Sequence, residues 1–323
     1  MQPDKKTARP STGRAEVSYP LVDEDRQIVS AMREQVAPFK GKMGDPSARG
    51  PFDEVMEHTP DIPGVTYEQK EIGGVTGIVC TPRSPRPGTA ILYLHGGAYL
   101  LGSPKAYRHF AGQIAARANA TAFVPEYRLA PEHPFPAALE DATAAYRGLV
   151  EQGGRRIAIV GDSAGGGLSL VVLSIVQSEA AAGRGLAPSG AVVMSPWTDL
   201  ALTGASLHDR ADDDPLLTTD MLTKAAGSYL GGLDPRDPRV SPLYGPLVGL
   251  PPIQLHVGTS EILLDDARRY AERARAAGVD AIVHVWEGMP HVFPASVGSL
   301  HAAERALGVM AAFLLERLDA EPA

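Results

Sequence analysis

The stretch RIAIVGDSAGGGLSL, residues 156–170, decides the fold. Its first part, Arg156–Val160, is a short apolar run that predicts a buried β-strand. The turn Gly161-Asp162-Ser163-Ala164-Gly165 follows at once, and an apolar segment of helical length runs over 165–181. A strand, a tight turn and a helix in direct succession are the setting in which the serine of G-x-S-x-G acts as a nucleophile. Ser163 is therefore the candidate nucleophile.

This turn has two other possible interpretations. A phosphate-binding loop would need lysine and then serine or threonine where Gly167 and Leu168 stand, so the pattern excludes it. A glycine-rich turn without chemistry stays open from the sequence.

Short apolar runs alternate with helix-length amphipathic segments through the middle and the end of the chain. Two β-rich stretches within Val65–Thr81, split by Gly73-Gly74, predict a hairpin before them. Strands are predicted at Ala90–Leu94, Thr121–Val124, Arg156–Val160, Ala191–Met194, Ile253–Val257 and Ala281–Trp286. Helices are predicted at 105–118, 137–151, 165–181, 262–277 and 296–318. The alternation predicts an α/β protein with a mostly parallel central sheet flanked by helices.

A second glycine-rich loop, His95-Gly96-Gly97-Ala98-Tyr99, follows the predicted strand Ala90–Leu94. Small residues in such a loop allow backbone N–H groups to approach a substrate carbonyl. We predict an oxyanion hole here that includes Gly96, with Gly97, Ala98 and Ala164 as N–H donors. His95 is expected to hold the shape of the loop.

A serine nucleophile needs a base and an orienting carboxylate. Of nine histidines, His291 follows the last predicted strand, where the order serine, acid, histidine puts the base. The acid is left open among Glu261, which closes the loop after strand Ile253–Val257, Asp265 one helical turn later, and Asp199.

Composition excludes several classes of protein. There are 34 glycines and 28 prolines among 323 residues, but no glycine repeat at every third position, so the chain is not collagen-like. A net charge of −8 without a basic cluster argues against nucleic acid and anionic membranes as partners. The segment Met1–Tyr19 is polar and is expected to be a loose tail. Together with the single cysteine, it predicts a soluble, cytoplasmic protein. No metal-binding or dinucleotide motif is present in the sequence, so no cofactor is expected.

Taken together, these motifs resemble the hormone-sensitive-lipase-like esterases of the α/β-hydrolase fold, in the bacterial branch with a Gly-Asp-Ser-Ala-Gly elbow. The motifs that carry the resemblance are His95–Tyr99, Tyr127–Glu132, Gly161–Gly166, Ser195–Asp199 and Gly288–Phe293. In that family the acid opens an Asp-Pro-Leu-x-Asp segment, which aligns with Glu261–Asp265. The chain departs from the family at the acid and in the oxyanion loop. It has glutamate in place of aspartate at 261, so Asp265 stays an alternative acid, and it has Ala98 in place of the third glycine of the oxyanion loop.

The resemblance also implies a helical cap over the site. We predict a flexible tail and cap helices in 1–50, a cap insertion in 202–235, and a hydrolase core in 51–201 and 236–323. Tyr99 and Trp197 are candidate pocket walls, although Trp197 could equally be a core residue. Relatives often dimerise through the last strand and helix, so a homodimer is expected from the resemblance.

The predicted function is hydrolysis of short-chain carboxylic esters through a covalent acyl-enzyme. Two alternatives are kept, namely an acetyl-hydrolase or amidase acting on a particular metabolite, and a ligand-binding receptor on a hydrolase scaffold. The presence of His291 favours an enzyme over a receptor.

Overall fold

In a computed structural model that describes residues 15–319, one nine-stranded sheet forms the centre of the molecule. The strands are β1 (Glu16–Tyr19), β2 (Val65–Ile72), β3 (Val75–Pro82), β4 (Thr89–Leu94), β5 (Thr121–Pro125), β6 (Arg156–Asp162), β7 (Gly190–Met194), β8 (Ile253–Gly258) and β9 (Ala281–Trp286). Their order across the sheet is β1-β9-β8-β7-β6-β4-β5-β3-β2. All neighbouring pairs are parallel except β2 with β3 and β3 with β5.

Helices cover both faces of the sheet. They are α1 (Asp23–Val36), α2 (Arg49–Glu57), α3 (Pro104–Ala118), α4 (Ala137–Glu151), α5 (Ser163–Ala181), α6 (Ser206–Asp209), α7 (Thr219–Leu230), α8 (Leu264–Ala276) and α9 (His301–Asp319). Strands β4 and β7 are buried along their whole length, which explains why the sequence shows them as continuous apolar runs. The predicted α/β class, the six parallel strands and the β2–β3 hairpin are confirmed.

The beginning and the end of the chain differ from the prediction. Residues 1–14 of the expected tail lie outside the described part, but residues 16–19 form strand β1 at the sheet edge. The final helix starts at His301 and not at 296, because a short 3₁₀ turn precedes it. The carboxylate of Asp25 in α1 accepts the N–H groups of His301 and Ala302 at 2.8 Å and so caps this helix.

The insertion between β7 and β8 packs against the N-terminal helical segment. The N–H of Gly41 donates to the carbonyl of Leu216 at 2.9 Å, and Lys40 Nζ donates to the carbonyl of Ala211. From α7 of the insertion, Tyr229 stacks on Tyr99 with ring centroids 3.7 Å apart. The two segments expected to form a cap therefore contact each other, and one of them reaches the loop after β4.

Parallel strands place their carboxyl ends on one edge of the sheet. The loops after β4, β6, β8 and β9 therefore meet at that edge. They carry the oxyanion loop, Ser163, Glu261 and His291 respectively.

Candidate active site

Ser163 lies at the junction of β6 and α5 with a positive φ of 52°. This left-handed conformation is costly for a residue with a side chain and is found where the surrounding structure enforces it. The turn is tight because β4 passes close by: a Cβ on Gly165 would lie 2.2 Å from the carbonyl oxygens of Leu94 and His95. The packing therefore requires a glycine at 165, as the motif predicts. The tight turn places Ser163 at the carboxyl end of β6.

His291 connects the candidate nucleophile to a carboxylate. Its Nε2 lies 2.9 Å from Ser163 Oγ, and its Nδ1 lies 2.8 Å from Glu261 Oε2. The side chain of His291 is 8% exposed and that of Glu261 is fully buried. With Nδ1 protonated toward the carboxylate, Nε2 is free to accept the hydroxyl proton of Ser163.

The second oxygen of Glu261 is held independently of the histidine. Its Oε1 accepts the N–H of Gly258 at 2.7 Å and the hydroxyl of Ser195 at 2.8 Å. The same Ser195 hydroxyl accepts the N–H of Val292, the residue after His291. Ser195 thus fixes the acid and the histidine loop together, a role that its motif, Ser195–Asp199, does not reveal in the sequence.

The two other candidate acids lie elsewhere. Asp265 accepts the N–H of Ser206 at 3.0 Å and ties α8 to α6. Asp199 forms an ion pair with Arg269 at 3.0 Å and accepts a hydrogen bond from Tyr244. Neither carboxylate has a hydrogen bond with His291, so among the three only Glu261 occupies the position of the acid.

The loop after β4 turns back on itself at Gly97 and Ala98. Gly97 has a φ of 115°, and a Cβ there would lie 2.3 Å from the carbonyl oxygen of Leu101, so only glycine fits. Ala98 also has a positive φ, of 55°. Among the described residues, no backbone carbonyl accepts a hydrogen bond from the N–H of Gly97 or of Ala98. The N–H of Ala164, in the first turn of α5, lies at the end of the helix where such groups lack intrahelical acceptors.

Gly96, which was predicted as part of the oxyanion hole, has a different role. Its N–H donates to Asp162 Oδ1 at 3.1 Å, so it is committed to a buried carboxylate and cannot serve as an oxyanion donor. Asp162 also accepts the hydroxyls of Tyr93 at 2.7 Å and Tyr107 at 3.0 Å. Burial raises the pKa of Asp162 to about 6. Asp162, the residue before Ser163, therefore anchors the oxyanion loop through the N–H of Gly96.

His95 also stabilises this loop. Its Nδ1 lies 2.8 Å from the carbonyl oxygen of Gly96, and the Tyr127 hydroxyl donates to the carbonyl of His95 at 2.7 Å. Burial lowers the pKa of His95 to about 4, so the imidazole is neutral at pH 7 and donates through Nδ1. This geometry agrees with the shape-holding role expected for His95.

The chain is similar to known proteins in both sequence and structure. A family model described as alpha/beta hydrolase fold matches residues 91–295. The chain belongs to this family. An acetyl-hydrolase of Streptomyces hygroscopicus is 44% identical over 241 residues, which cover 73% of this chain and 79% of that protein. An esterase of Acinetobacter venetianus is 35% identical over 272 residues, covering 83% and 88% of the two chains.

Solved structures place the chain more closely within the family. An esterase from the bacterial hormone-sensitive lipase family superposes with a TM-score of 0.84 at 37% identity, covering 92% of this chain and 99% of that one. The chain is therefore a hormone-sensitive-lipase-like member of the alpha/beta hydrolase family, and the predicted family is confirmed.

The predicted pocket walls of this hydrolase are both buried. Trp197 is fully buried; its backbone N–H donates to the carbonyl of Ser163 at 2.9 Å, and its indole N–H donates to the carbonyl of Asp199 at 3.2 Å. Tyr99 lies between Trp197, at a ring distance of 6.2 Å, and Tyr229. Their role as substrate-contacting walls stays a prediction.

Two further features bear on what the hydrolase fold could bind. Among residues 15–319, no group of three His, Cys, Asp or Glu side chains is placed to hold a metal ion. One described helix, α5, is long and apolar enough to span a membrane by composition, but 61% of it is buried inside the protein. It is the core helix that follows the nucleophile.

The charges around His291 lead to a testable pH dependence. Burial alone would lower the pKa of His291, but the hydrogen bond and charge of Glu261, together with Asp214 and Asp162, raise it above the ordinary 6.5. A protonated imidazole cannot accept the Ser163 proton, so activity is lost as the pH falls through this raised pKa. We expect kcat/KM on p-nitrophenyl butyrate to rise with pH, with a midpoint above 6.5. Replacing the exposed His58 by glutamine should leave the midpoint unchanged, and a rate that stays constant down to pH 5 would contradict the assignment of His291.

Proposed function

We propose that the protein is a serine carboxylesterase that hydrolyses short-chain carboxylic esters through an acyl-enzyme on Ser163. The observation that carries this proposal is the unbroken hydrogen-bonded series from Ser163 Oγ through His291 to Glu261. Relatives named esterase and acetyl-hydrolase, at 35% and 44% identity, support the ester-hydrolase class.

In the first half of the reaction, Ser163 Oγ attacks the ester carbonyl while His291 Nε2 takes its proton. The carbonyl oxygen becomes an oxyanion, and the N–H groups of Gly97, Ala98 and Ala164 are the donors available to it. His291 then gives the proton to the departing alcohol, which leaves the acyl group on Ser163.

The second half repeats these steps with water. His291 takes a proton from the attacking water, and the collapse of the second tetrahedral intermediate breaks the bond between the acyl carbon and Ser163 Oγ. Glu261 holds the Nδ1 proton throughout and stabilises the imidazolium in both halves. The carboxylic acid leaves and Ser163 regains its proton.

Two features support a preference for short acyl chains. Ala98 places a methyl group in the oxyanion loop where the family carries glycine, and the ring of the next residue, Tyr99, is buried in a stack with Tyr229. We expect the bulk at these two positions to leave less room for a long acyl chain. The esterase EstE5, a solved relative with 35% identity, was soaked with p-nitrophenyl butyrate, an ester of the size proposed here.

A series of p-nitrophenyl esters from about C2 to C12, with matched amides, tests the substrate class. We expect kcat/KM to be highest at about C2 to C4 and at least about 10-fold lower at C12. Ala98→Gly is compatible with the positive φ at that position and should shift the preference toward longer chains. A maximum at C8 or longer in the unaltered protein would contradict the short-chain proposal.

The same series separates the second candidate function. The relative named acetyl-hydrolase favours an enzyme confined to acetyl groups, which would show a steep loss already at C4. Faster turnover of the amides than of the esters would favour an amidase. A receptor is disfavoured because Ser163 and His291 are in hydrogen-bond contact.

The cytoplasmic location stays a prediction from the sequence.

A further inference from the structure

Ile262, the residue after the candidate acid Glu261, is held by the insertion between β7 and β8. Its N–H donates to Asp214 Oδ2 at 2.9 Å, and its carbonyl accepts the hydroxyl of Ser206 at 2.6 Å. Asp214 and Ile262 are both fully buried. Two side chains of the insertion therefore fix the backbone directly after the acid.

Asp214 is itself fixed within the insertion. Its Oδ1 accepts the N–H groups of Leu216 at 2.9 Å and Leu217 at 2.8 Å, while its Oδ2 accepts that of Ile262. Burial raises the pKa of Asp214, and His291 together with the three N–H groups opposes that shift by stabilising the charged form. Since both oxygens accept N–H groups, the ionised carboxylate fits this position, and it brings a fixed negative charge to the acid segment.

The contact with Asp214 depends on an N–H at position 262. In the family that the sequence resembles, the acid segment reads Asp-Pro-Leu-x-Asp, so proline stands where this chain has Ile262. Proline has no backbone N–H and could not donate to Asp214. The change from aspartate to glutamate at 261 and the change from proline to isoleucine at 262 therefore occur side by side in this chain.

The longer acid needs more restraint than an aspartate would. Glu261 has one more side-chain torsion, and fixing that torsion costs conformational entropy. Its Oε1 is held by Gly258 and Ser195, and the residue after it is held by Asp214. The bond from Ile262 to Asp214 thus adds a restraint next to the residue that has gained a degree of freedom.

Asp214 also lies close enough to His291 to act on its charge. Burial alone would lower the pKa of His291, whereas three neighbouring carboxylates raise it. They belong to Glu261 after β8, Asp162 at the end of β6, and Asp214 in the insertion. Because the hydrogen bonds of Asp214 go to backbone N–H groups, it acts on His291 by charge through space. Removal of this charge would leave the protonated imidazole less stable.

We propose that Asp214 is a positioning residue of the catalytic triad: it holds Glu261 in place through the N–H of Ile262 and adds a second negative charge beside His291. Asp214 lies in the insertion and not in the strand ends that carry the triad, so the insertion takes part in the chemistry of the site. This inference rests on the proposed function, in which His291 takes the proton of Ser163.

Replacing Asp214 by asparagine tests the charge. The pH midpoint of kcat/KM on p-nitrophenyl butyrate should fall by about 0.5 pH units, because the imidazolium of His291 loses a stabilising charge. The asparagine NH₂ group cannot accept the N–H of Ile262, so kcat at high pH should also fall about 10-fold, with KM nearly unchanged. Asp212→Asn is the matched control: it removes an exposed charge two residues away and should leave the midpoint and kcat as they are.

Replacing Ile262 by proline tests the contact while it leaves the charge of Asp214 in place. We expect kcat to be about 10-fold lower than in Ile262→Val, which keeps the N–H and loses one methylene, and the pH midpoint should not fall. Asp214→Asn combined with Ile262→Pro should lower kcat little more than either change alone, because both break the same hydrogen bond.

An NMR titration of the His291 imidazole measures its pKa without any substrate. If the unaltered protein hydrolyses no ester while Asp214→Asn still lowers the pKa of His291, the proposed function is wrong and the action of Asp214 on His291 stands. An identical His291 titration in the unaltered protein and in Asp214→Asn overturns the inference, as do fully additive losses of kcat in the combined variant. If Asp214→Asn does not fold, Ile262→Pro decides, and a kcat equal to that of Ile262→Val overturns the inference.

Discussion

Replacing Ser163 by alanine should lower kcat on p-nitrophenyl acetate or butyrate by at least about 10³-fold. The reason is that His291 Nε2, 2.9 Å from the hydroxyl, would have no nucleophile to activate. What remains is the smaller contribution of the oxyanion donors and of substrate binding, so KM should change much less than kcat.

Ser174→Ala provides the matched control for this experiment. Ser174 lies in the same helix, α5, and its hydroxyl bonds to the carbonyl of Pro246 away from the site. We expect its kcat to stay within about twofold of the unaltered protein. If the Ser163 variant kept near-normal turnover, the acyl-enzyme mechanism would be wrong.

Replacing Glu261 by glutamine should lower kcat by about 10⁴-fold without unfolding the protein. One oxygen of Glu261 accepts the N–H of Gly258, a donor that cannot turn around. The amide of a glutamine would therefore direct its oxygen to Gly258 and its NH₂ group to His291 Nδ1. The imidazole would then carry its proton on Nε2, where it cannot accept the proton of Ser163.

Asp265→Asn distinguishes this account from the alternative acid. Because Asp265 accepts the N–H of Ser206 and has no hydrogen bond to His291, its replacement should cost about 1 kcal/mol of stability or less and leave kcat within about threefold. A loss of kcat at Asp265 that matches the loss at Glu261 would remove the assignment of the acid. Thermal denaturation of both variants separates a loss of activity from a loss of folded protein.

The parallel strands could be predicted because burial on both faces leaves an unmistakable pattern of apolar runs. β1 could not, since its contacts are supplied by residues far along the chain. Tyr19 stacks on Trp286 and Glu16 pairs with Arg268, and four residues of mixed polarity have no strand pattern of their own. Helix α2 was likewise not predicted, because Gly50 and Pro51 at its start resemble a turn.

Within the candidate site, the sequence placed Ser163 and His291 by their position after strands, and the structure brings them together. The choice of acid depended on side-chain direction: Glu261 lies in the loop facing His291, whereas Asp265 lies in α8 and points to α6. Sequence spacing does not contain that direction, so the alternatives could not be resolved from it.

Gly96 was predicted to belong to the oxyanion hole, although not as an N–H donor, and the partner of its N–H could not be predicted from the sequence. Every small residue of the loop after β4 can in principle offer its N–H to an oxyanion, and only the fold shows which one is already used. Asp162, which takes the Gly96 N–H, is 66 residues away in the chain. The turn Gly161–Gly165 thus also shapes the oxyanion loop, because its Asp162 binds the Gly96 N–H. The sequence motif includes this aspartate but does not indicate that contact.

The acyl-enzyme on Ser163 can be tested directly with a fluorophosphonate that modifies activated serines. Intact-mass spectrometry should show one adduct per chain, formed in step with the loss of ester hydrolysis, and peptide mapping should place it on Ser163. His291→Ala should react far more slowly, because the serine would lack its base. A protein that loses activity with the label on another residue, or that hydrolyses esters at full rate with Ser163 modified, would contradict the mechanism.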